Sequence, residues 1–338
     1  MGGDIKILIS LKAAYMSVFM VVLLQISGCS SVPEASKRTS IPSWVQTPQG
    51  DTNIYIYGIG EGLNLEEAKK NGLRDIAGKI ATNISSQSES KASDHDGNSS
   101  RYFRQKVNTF IKDTKLSSYE TIKIVQNNDQ FYVLIAMSRS AFIKENQSRL
   151  DEIDHEIEMQ LAGMPNDNKL VQLVVYNKIV QLSIEAKDVI VLLRVTDSSF
   201  NETPYLNAYR SYQQKEKELS ETTQFSIRST ASMKPLSIQI KKALQMNGFQ
   251  IDTDSTPDSI IELVGAIKES EIFSTKNVSV KFDILVKANS DQLIKSSNYH
   301  LNGSSTTSFS IARDNAFSQF AVRLKNKSDI YQLLGMSK

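Results

Sequence analysis

The stretch Ile54-Tyr55-Ile56-Tyr57-Gly58-Ile59-Gly60-Glu61-Gly62-Leu63-Asn64-Leu65-Glu66-Glu67-Ala68 changes character halfway along. Its first four residues are β-branched or aromatic, the composition of a strand. Asn64 followed three residues later by Glu67 is an N-cap with a capping-box partner. Beyond it Leu65, Ala68, Gly72, Leu73, Ile76, Ala77, Ile80 and Ile84 recur every three or four residues, which predicts a helix with one apolar face. Between strand and helix stands Gly58-x-Gly60-x-Gly62. A phosphate-cradling loop needs Gly-x-Gly-x-x-Gly and an acidic residue about twenty positions on, and neither is present. The glycines are therefore read as a tight strand-to-helix turn at which side chains would obstruct close backbone packing.

Downstream, Ser85 to Ser100 is polar, with Asp94-His95-Asp96-Gly97-Asn98 as a loop tip. Tyr102, Phe103, Val107, Phe110 and Ile111 suggest a second helix. Tyr119 to Val125 and Phe131 to Met137 alternate around a polar five-residue link, the signature of a hairpin. The order β-α-α-β-β over residues 41–139 predicts a small α+β sandwich, helices on one face of an antiparallel sheet. Residues 140–222 read as a helical hairpin and spacer. One charged helix ends near Gly163, and Asp167 is placed to cap the next, over Leu170 to Val195. A third runs from Pro204 through Leu219. Residues 223–338 return to α+β: a strand at 225–228, a helix at 233–246 stopped by Asn247-Gly248, four further strands and a last helix at 310–324. The fold class is thus α+β, two small sandwich domains joined by a helical segment.

Among 338 residues there are one cysteine and three histidines, and 39 Lys+Arg stand against 37 Asp+Glu. One cysteine excludes an internal disulfide and a thiolate zinc site. The balanced charge argues against nucleic acid as a partner, because no surplus of cations exists to neutralise phosphates. His95, His155 and His300 have no metal-ligand neighbour at helical spacing, and no Gly-x-Ser-x-Gly elbow appears. No cofactor, metal or catalytic set is expected, and the chain reads as a non-enzyme. Two features offer a possible partner surface beside a plainer reading. Trp44, between Pro42 and Pro48, reads as a core lid, with a partner surface as the alternative. The carboxylate strip of Asp151, Glu152, Asp154, Glu156 and Glu158 reads as a solvated helix face, with a partner-binding strip as the alternative.

The lone cysteine has a distinctive setting. Lys6 and Lys12 precede an apolar run of about a dozen residues, a signal-peptide length and short of the ~20 that a membrane span requires. The run closes in Ile26-Ser27-Gly28-Cys29, which resembles a bacterial lipobox. The resemblance implies a signal peptide at 1–28, cleavage between Gly28 and Cys29, lipidation of Cys29, and a flexible polar tether over 29–40. Ser30 rather than Asp after the cysteine implies sorting to the outer membrane. The charges removed with the signal peptide are Asp4, Lys6 and Lys12, so the remainder stays close to neutral.

Pro42-x-Trp44, Pro48, the Tyr55–Tyr57 strand, Gly58-x-Gly60, Glu67-Ala68, Arg74-Asp75-Ile76-Ala77, Ile80 and Ser85-Ser86 together resemble the LPP-twenty lipoprotein family. The layout is similar to that of the flagellar assembly protein FlgT and the lipoprotein FlgP, and it extends more loosely through the 119–137 hairpin. The resemblance implies an outer-membrane lipoprotein facing the periplasm, held by lipid on Cys29. Its partners would be envelope proteins or further copies of itself, in an assembly such as a flagellum-associated ring. The rival reading is a regulatory lipoprotein that docks on and activates an envelope enzyme such as a peptidoglycan synthase, since the last domain loosely resembles periplasmic modules of that kind. Cys29→Ala separates anchoring from partner binding: the variant is expected in the soluble fraction after cell lysis, and its retention in the membrane pellet would refute the lipobox reading.

Overall fold

The computed structural model describes residues 41–91, 119–251 and 257–336. Gly28, Cys29, the tether, the 94–98 loop tip and the helix expected over 102–111 lie outside the described residues. The described chain is α+β, with two sheets and helices against them.

A short helix α1 (Ser43–Gln46) precedes strand β1 (Tyr55–Gly62) and helix α2 (Leu65–Lys91). The cap at Asn64 is as expected: its Oδ1 accepts the Glu67 N–H at 2.9 Å, and Glu67 Oε2 accepts the Leu63 N–H at 2.9 Å. The helix runs on through Lys91, beyond the last apolar position at Ile84 and into the polar stretch that begins at Ser85. Serine, glutamine and glutamate carry no apolar period, but nothing in that run breaks a helix already propagating. Strands β2 (Tyr119–Asn127) and β3 (Gln130–Ser138) complete an antiparallel sheet of order β1-β3-β2.

The glycines are the correction of most consequence. Gly58, Gly60 and Gly62 lie within β1 rather than in a turn after it. The reason given for them, close backbone packing, holds. A Cβ on Gly60 would overlap the Ala68 carbonyl and stand 2.9 Å from the Gly72 Cα; one on Gly62 would sit 2.6 Å from the Ala68 nitrogen. The helix is seated directly on the strand backbone. That closeness lets one stripe of α2 serve the outer edge of β1. Asn71 Nδ2 donates to the Glu61 carbonyl at 2.7 Å, Asp75 Oδ2 accepts the Ile59 N–H at 3.1 Å, and Lys79 Nζ donates to the Tyr57 carbonyl at 2.6 Å. Asp51 Oδ1 takes the Tyr57 N–H at 3.0 Å. Backbone groups that would otherwise invite another strand are thereby satisfied. Ile56, Ile76, Ile80, Val133, Ile135 and Met137 form the core beneath.

Helices α3 (Arg139–Ala162), α4 (Lys169–Thr196) and α5 (Thr203–Thr222) follow. The cap of α4 is Asn168, whose Oδ1 accepts the Val171 N–H at 3.0 Å, and not Asp167. The three helices have a core of their own, with Leu150, Ile157, Ile179, Ala186 and Tyr209 in it. Helix α4 also reaches both neighbours: Leu170 and Leu173 at its start belong to the core of the second sheet, and Leu192 near its end belongs to the first. No described helix is long and apolar enough to cross a membrane.

The second sheet has the order β5-β4-β6-β7-β8, built from β4 (Gln224–Ser229), β5 (Gln250–Ile251), β6 (Ser259–Ile272), β7 (Thr275–Ala288) and β8 (Leu293–Ser305). It is antiparallel from β6 to β8, while β4 runs parallel to both its neighbours because α6 (Lys234–Met246) carries the chain across. Gly248, at φ +87°, ends α6 where the sequence places the stop. Helices α7 (Phe309–Arg323) and α8 (Lys327–Leu333) close the unit, the latter unforeseen.

Gly60→Ala is expected to cost about 3 kcal/mol or more, through overlap with backbone that cannot yield. Gly78→Ala, in the facing helix α2 with nothing within 4 Å of the new Cβ, should instead stabilise by about 0.5–1 kcal/mol. Urea unfolding of the two variants beside the wild type checks both signs.

Candidate functional site

The carboxylate strip on α3 is not one surface. Asp151, Glu152 and Glu158 are exposed. Glu156 is ion-paired with Lys178 of α4, Oε1 to Nζ 2.8 Å. Asp154 turns inward, where its Oδ1 accepts a 2.6 Å hydrogen bond from the hydroxyl of Tyr209, a fully buried residue of α5. Around this pair stand further rings: Tyr209 and Tyr212 have centroids 6.4 Å apart, Tyr176 and Tyr212 6.5 Å, and Phe200 stacks on Tyr205 at 5.7 Å.

Burial pushes the Asp154 carboxyl above the usual carboxylate range, opposed by the Tyr209 hydrogen bond and reinforced by the negative charges of Asp151 and Glu158. The Tyr209 hydroxyl is held well above its ordinary value, first by burial and then by donation to Asp154. Burial likewise raises Tyr205 and Tyr212, with Asp154 adding to each. The cluster is therefore a locked hydrogen bond between two groups that resist ionisation, and it fixes α5 against α3. It has no nucleophile poised for attack and no base with a partner to orient it.

The other expected residues are dispersed. Trp44 is half-buried on α1. His155 is exposed on α3. His300, on β8, shares a 2.8 Å hydrogen bond with the Ser279 hydroxyl across the β7–β8 pair. No group of three or more metal-ligating side chains exists among the described residues. Gly28, Cys29 and His95 lie outside them. Trp44 and the exposed carboxylates Asp151 and Glu152 thus sit on different elements. Sequence reading missed two features: the inward turn of Asp154, for which Tyr209 two helices further on gives no local signal, and the two-residue β6–β7 turn, where Phe273 stands at a position that turn residues ordinarily fill.

Residues 42–138 match the LPP20 lipoprotein family. The resemblance read from Pro42 to Ser86 therefore holds over the whole first α+β unit, hairpin included. Among solved structures, the chain is similar to the secreted protein HP1454 from Helicobacter pylori, at 15% identity and a TM-score of 0.48, over 85% of this chain and 99% of that one. It is also similar to a minor lipoprotein from Acinetobacter baumannii, at 12% identity and a TM-score of 0.25, over 30% of this chain and 90% of that one. No curated protein matches the chain.

The Asp154–Tyr209 pair gives a pH test. With the folded-state value raised, the folded chain retains a proton that the unfolded chain releases, so stability falls as pH climbs from about 4 upward through the folded value. Asp154→Asn keeps an acceptor for Tyr209 and removes the ionisation. Its urea midpoint, measured against wild type from about pH 4 to 7, is expected to shift in the variant's favour as pH rises; a difference constant with pH would refute the assignment.

Proposed function

We propose that this chain is a non-enzymatic envelope lipoprotein, anchored by lipid on Cys29 to the outer membrane and facing the periplasm, that binds protein partners in an envelope assembly. The carrying observation is the match of residues 42–138 to the LPP20 lipoprotein family, with Ile26-Ser27-Gly28-Cys29 upstream of it. Anchoring supplies the energetics: confinement at a membrane raises effective concentration, so contacts too weak to persist in solution can hold an assembly together. The surfaces proposed for those contacts are the region of Trp44 and the exposed carboxylates Asp151 and Glu152. Glu156, already paired with Lys178, contributes less.

A photocrosslinking residue in place of Glu152, in cells expressing the full chain, tests this reading together with the mass of the purified protein. Expected are crosslinked envelope proteins or multimers of this chain. A chain that stays monomeric and recovers no envelope protein would sink the proposal. A one-to-one complex with a single envelope enzyme, accompanied by a change in that enzyme's rate, would replace the assembly with a regulatory role. A flagellar partner among the crosslinks would specify the assembly.

A further inference from the structure

The turn joining β6 to β7 places Phe273 and Ser274 at φ 47° and 66°. Both lie in the left-handed region that two-residue hairpin turns require and that asparagine or glycine ordinarily supplies. A phenylalanine there is conformationally unfavourable. Its side chain is also 99% exposed, and Ile272 beside it 56%. Backbone strain and apolar exposure thus coincide at the apex of two paired 14-residue strands.

The surroundings narrow what such an apex meets. The two carboxylates nearest it in β6 are paired within the chain: Lys276 is ion-paired with Glu271 and lies 5.5 Å over the Phe309 ring, and Arg313 is ion-paired with Glu269, while Lys268 stays exposed one residue further back. The Lys276–Phe309 contact brings the start of α7 to this end, where Ile311 is also exposed. The result is an apolar side chain that stands proud of the surface at 99% exposure, with the carboxylates nearest it in β6 already paired and a lysine behind them, so no unpaired acid adjoins the ring in the strand to repel an anionic headgroup. It suits a medium that yields around an aromatic ring without demanding charge complementarity, which is the headgroup–acyl boundary of a bilayer.

We infer that Phe273, with Ile272, is a membrane-contacting tip that inserts into the bilayer interface as a second, weak attachment. The inference goes beyond the lipid anchor and does not need Cys29 to be acylated in the cell. A tip this small binds weakly alone and acts when the chain is already held at a membrane.

The single cysteine provides the test. A chain of residues 29–338, which contains every described residue, is coupled through the Cys29 thiol to maleimide lipid in phosphatidylethanolamine–phosphatidylglycerol vesicles that include an acyl-brominated lipid. With Trp44→Phe as background, the indole introduced by Phe273→Trp is expected to be quenched about twofold or more. Leu293→Trp, exposed at the opposite end of the β7–β8 ladder, is expected to stay bright. Phe273→Asn, free of vesicles, should have an unchanged or higher melting temperature, because asparagine accepts the left-handed backbone. An unquenched Phe273→Trp variant in coupled vesicles, or quenching of Leu293→Trp equal to that of Phe273→Trp, would overturn the inference. Failure of cellular Cys29 acylation alone would overturn only the anchor.

Discussion

The approach of α2 to β1 at backbone distance is the constraint on which the first α+β unit rests. Gly58, Gly60 and Gly62 present no side chains, so the strand meets Ala68, Gly72 and Ile76 directly. Only from that distance do Asn71, Asp75 and Lys79, spaced four residues apart on one helix face, reach the outward backbone groups of β1. The second sheet repeats the arrangement at its far edge. A Cβ on Gly303 of β8 would overlap the Ala312 carbonyl and sit 2.7 Å from the Ala316 nitrogen of α7. Asn315 and Gln319, again four apart, donate to the Ser304 and Asn302 carbonyls at 3.0 and 2.7 Å. In both units a glycine in an edge strand seats a helix, and the helix then satisfies that edge. The device answers two demands together, dry packing on one face and no free hydrogen-bonding edge beside it.

Helix α4 links the units through packing. Leu170 and Leu173 are fully buried in the second core and Leu192 nearly so in the first, with Ile179, Ala186 and Leu193 filling the helical core between. Each fully buried leucine contributes about 1.5–3 kcal/mol relative to exposure, so each core is coupled to the same rigid rod. This explains why its 28 residues are richly apolar without being a membrane span. Its sides face a different environment at each turn, and no single stripe suffices.

What was legible in the sequence was what local physics decides. The Asn64–Glu67 cap, the period of α2, the β2–β3 hairpin and the Gly248 stop depend on residues a few positions apart. The fold class and the LPP-twenty resemblance followed from their order. The glycines were read for the right cause at the wrong place, because Gly58-x-Gly60-x-Gly62 has the composition of a turn and only the partner helix shows that it is a strand. Asp154 was grouped with exposed neighbours because its partner, Tyr209, lies 55 positions away. The parallel placement of β4 depends on where α6 carries the chain, which strand composition does not encode. Asp154 and the placement of β4 are contacts between elements, while the strand at Gly58–Gly62 and helix α8 are elements whose identity only their packing reveals.

Phe273 extends this pattern to function. A residue that fits neither its backbone conformation nor its solvent lowers stability, whereas at several other places in this molecule such demands are met: edges are capped, Asp154 is bonded, Glu269 and Glu271 are paired. At the hairpin tip a left-handed backbone and a 99% exposed aromatic ring fall on one residue. Asparagine in that turn would satisfy the backbone and the water at once, so its absence points to a demand from outside the chain. An aromatic ring at an interface meets such a demand, and it does so for a protein whose sequence places its only thiol where a lipid would be attached.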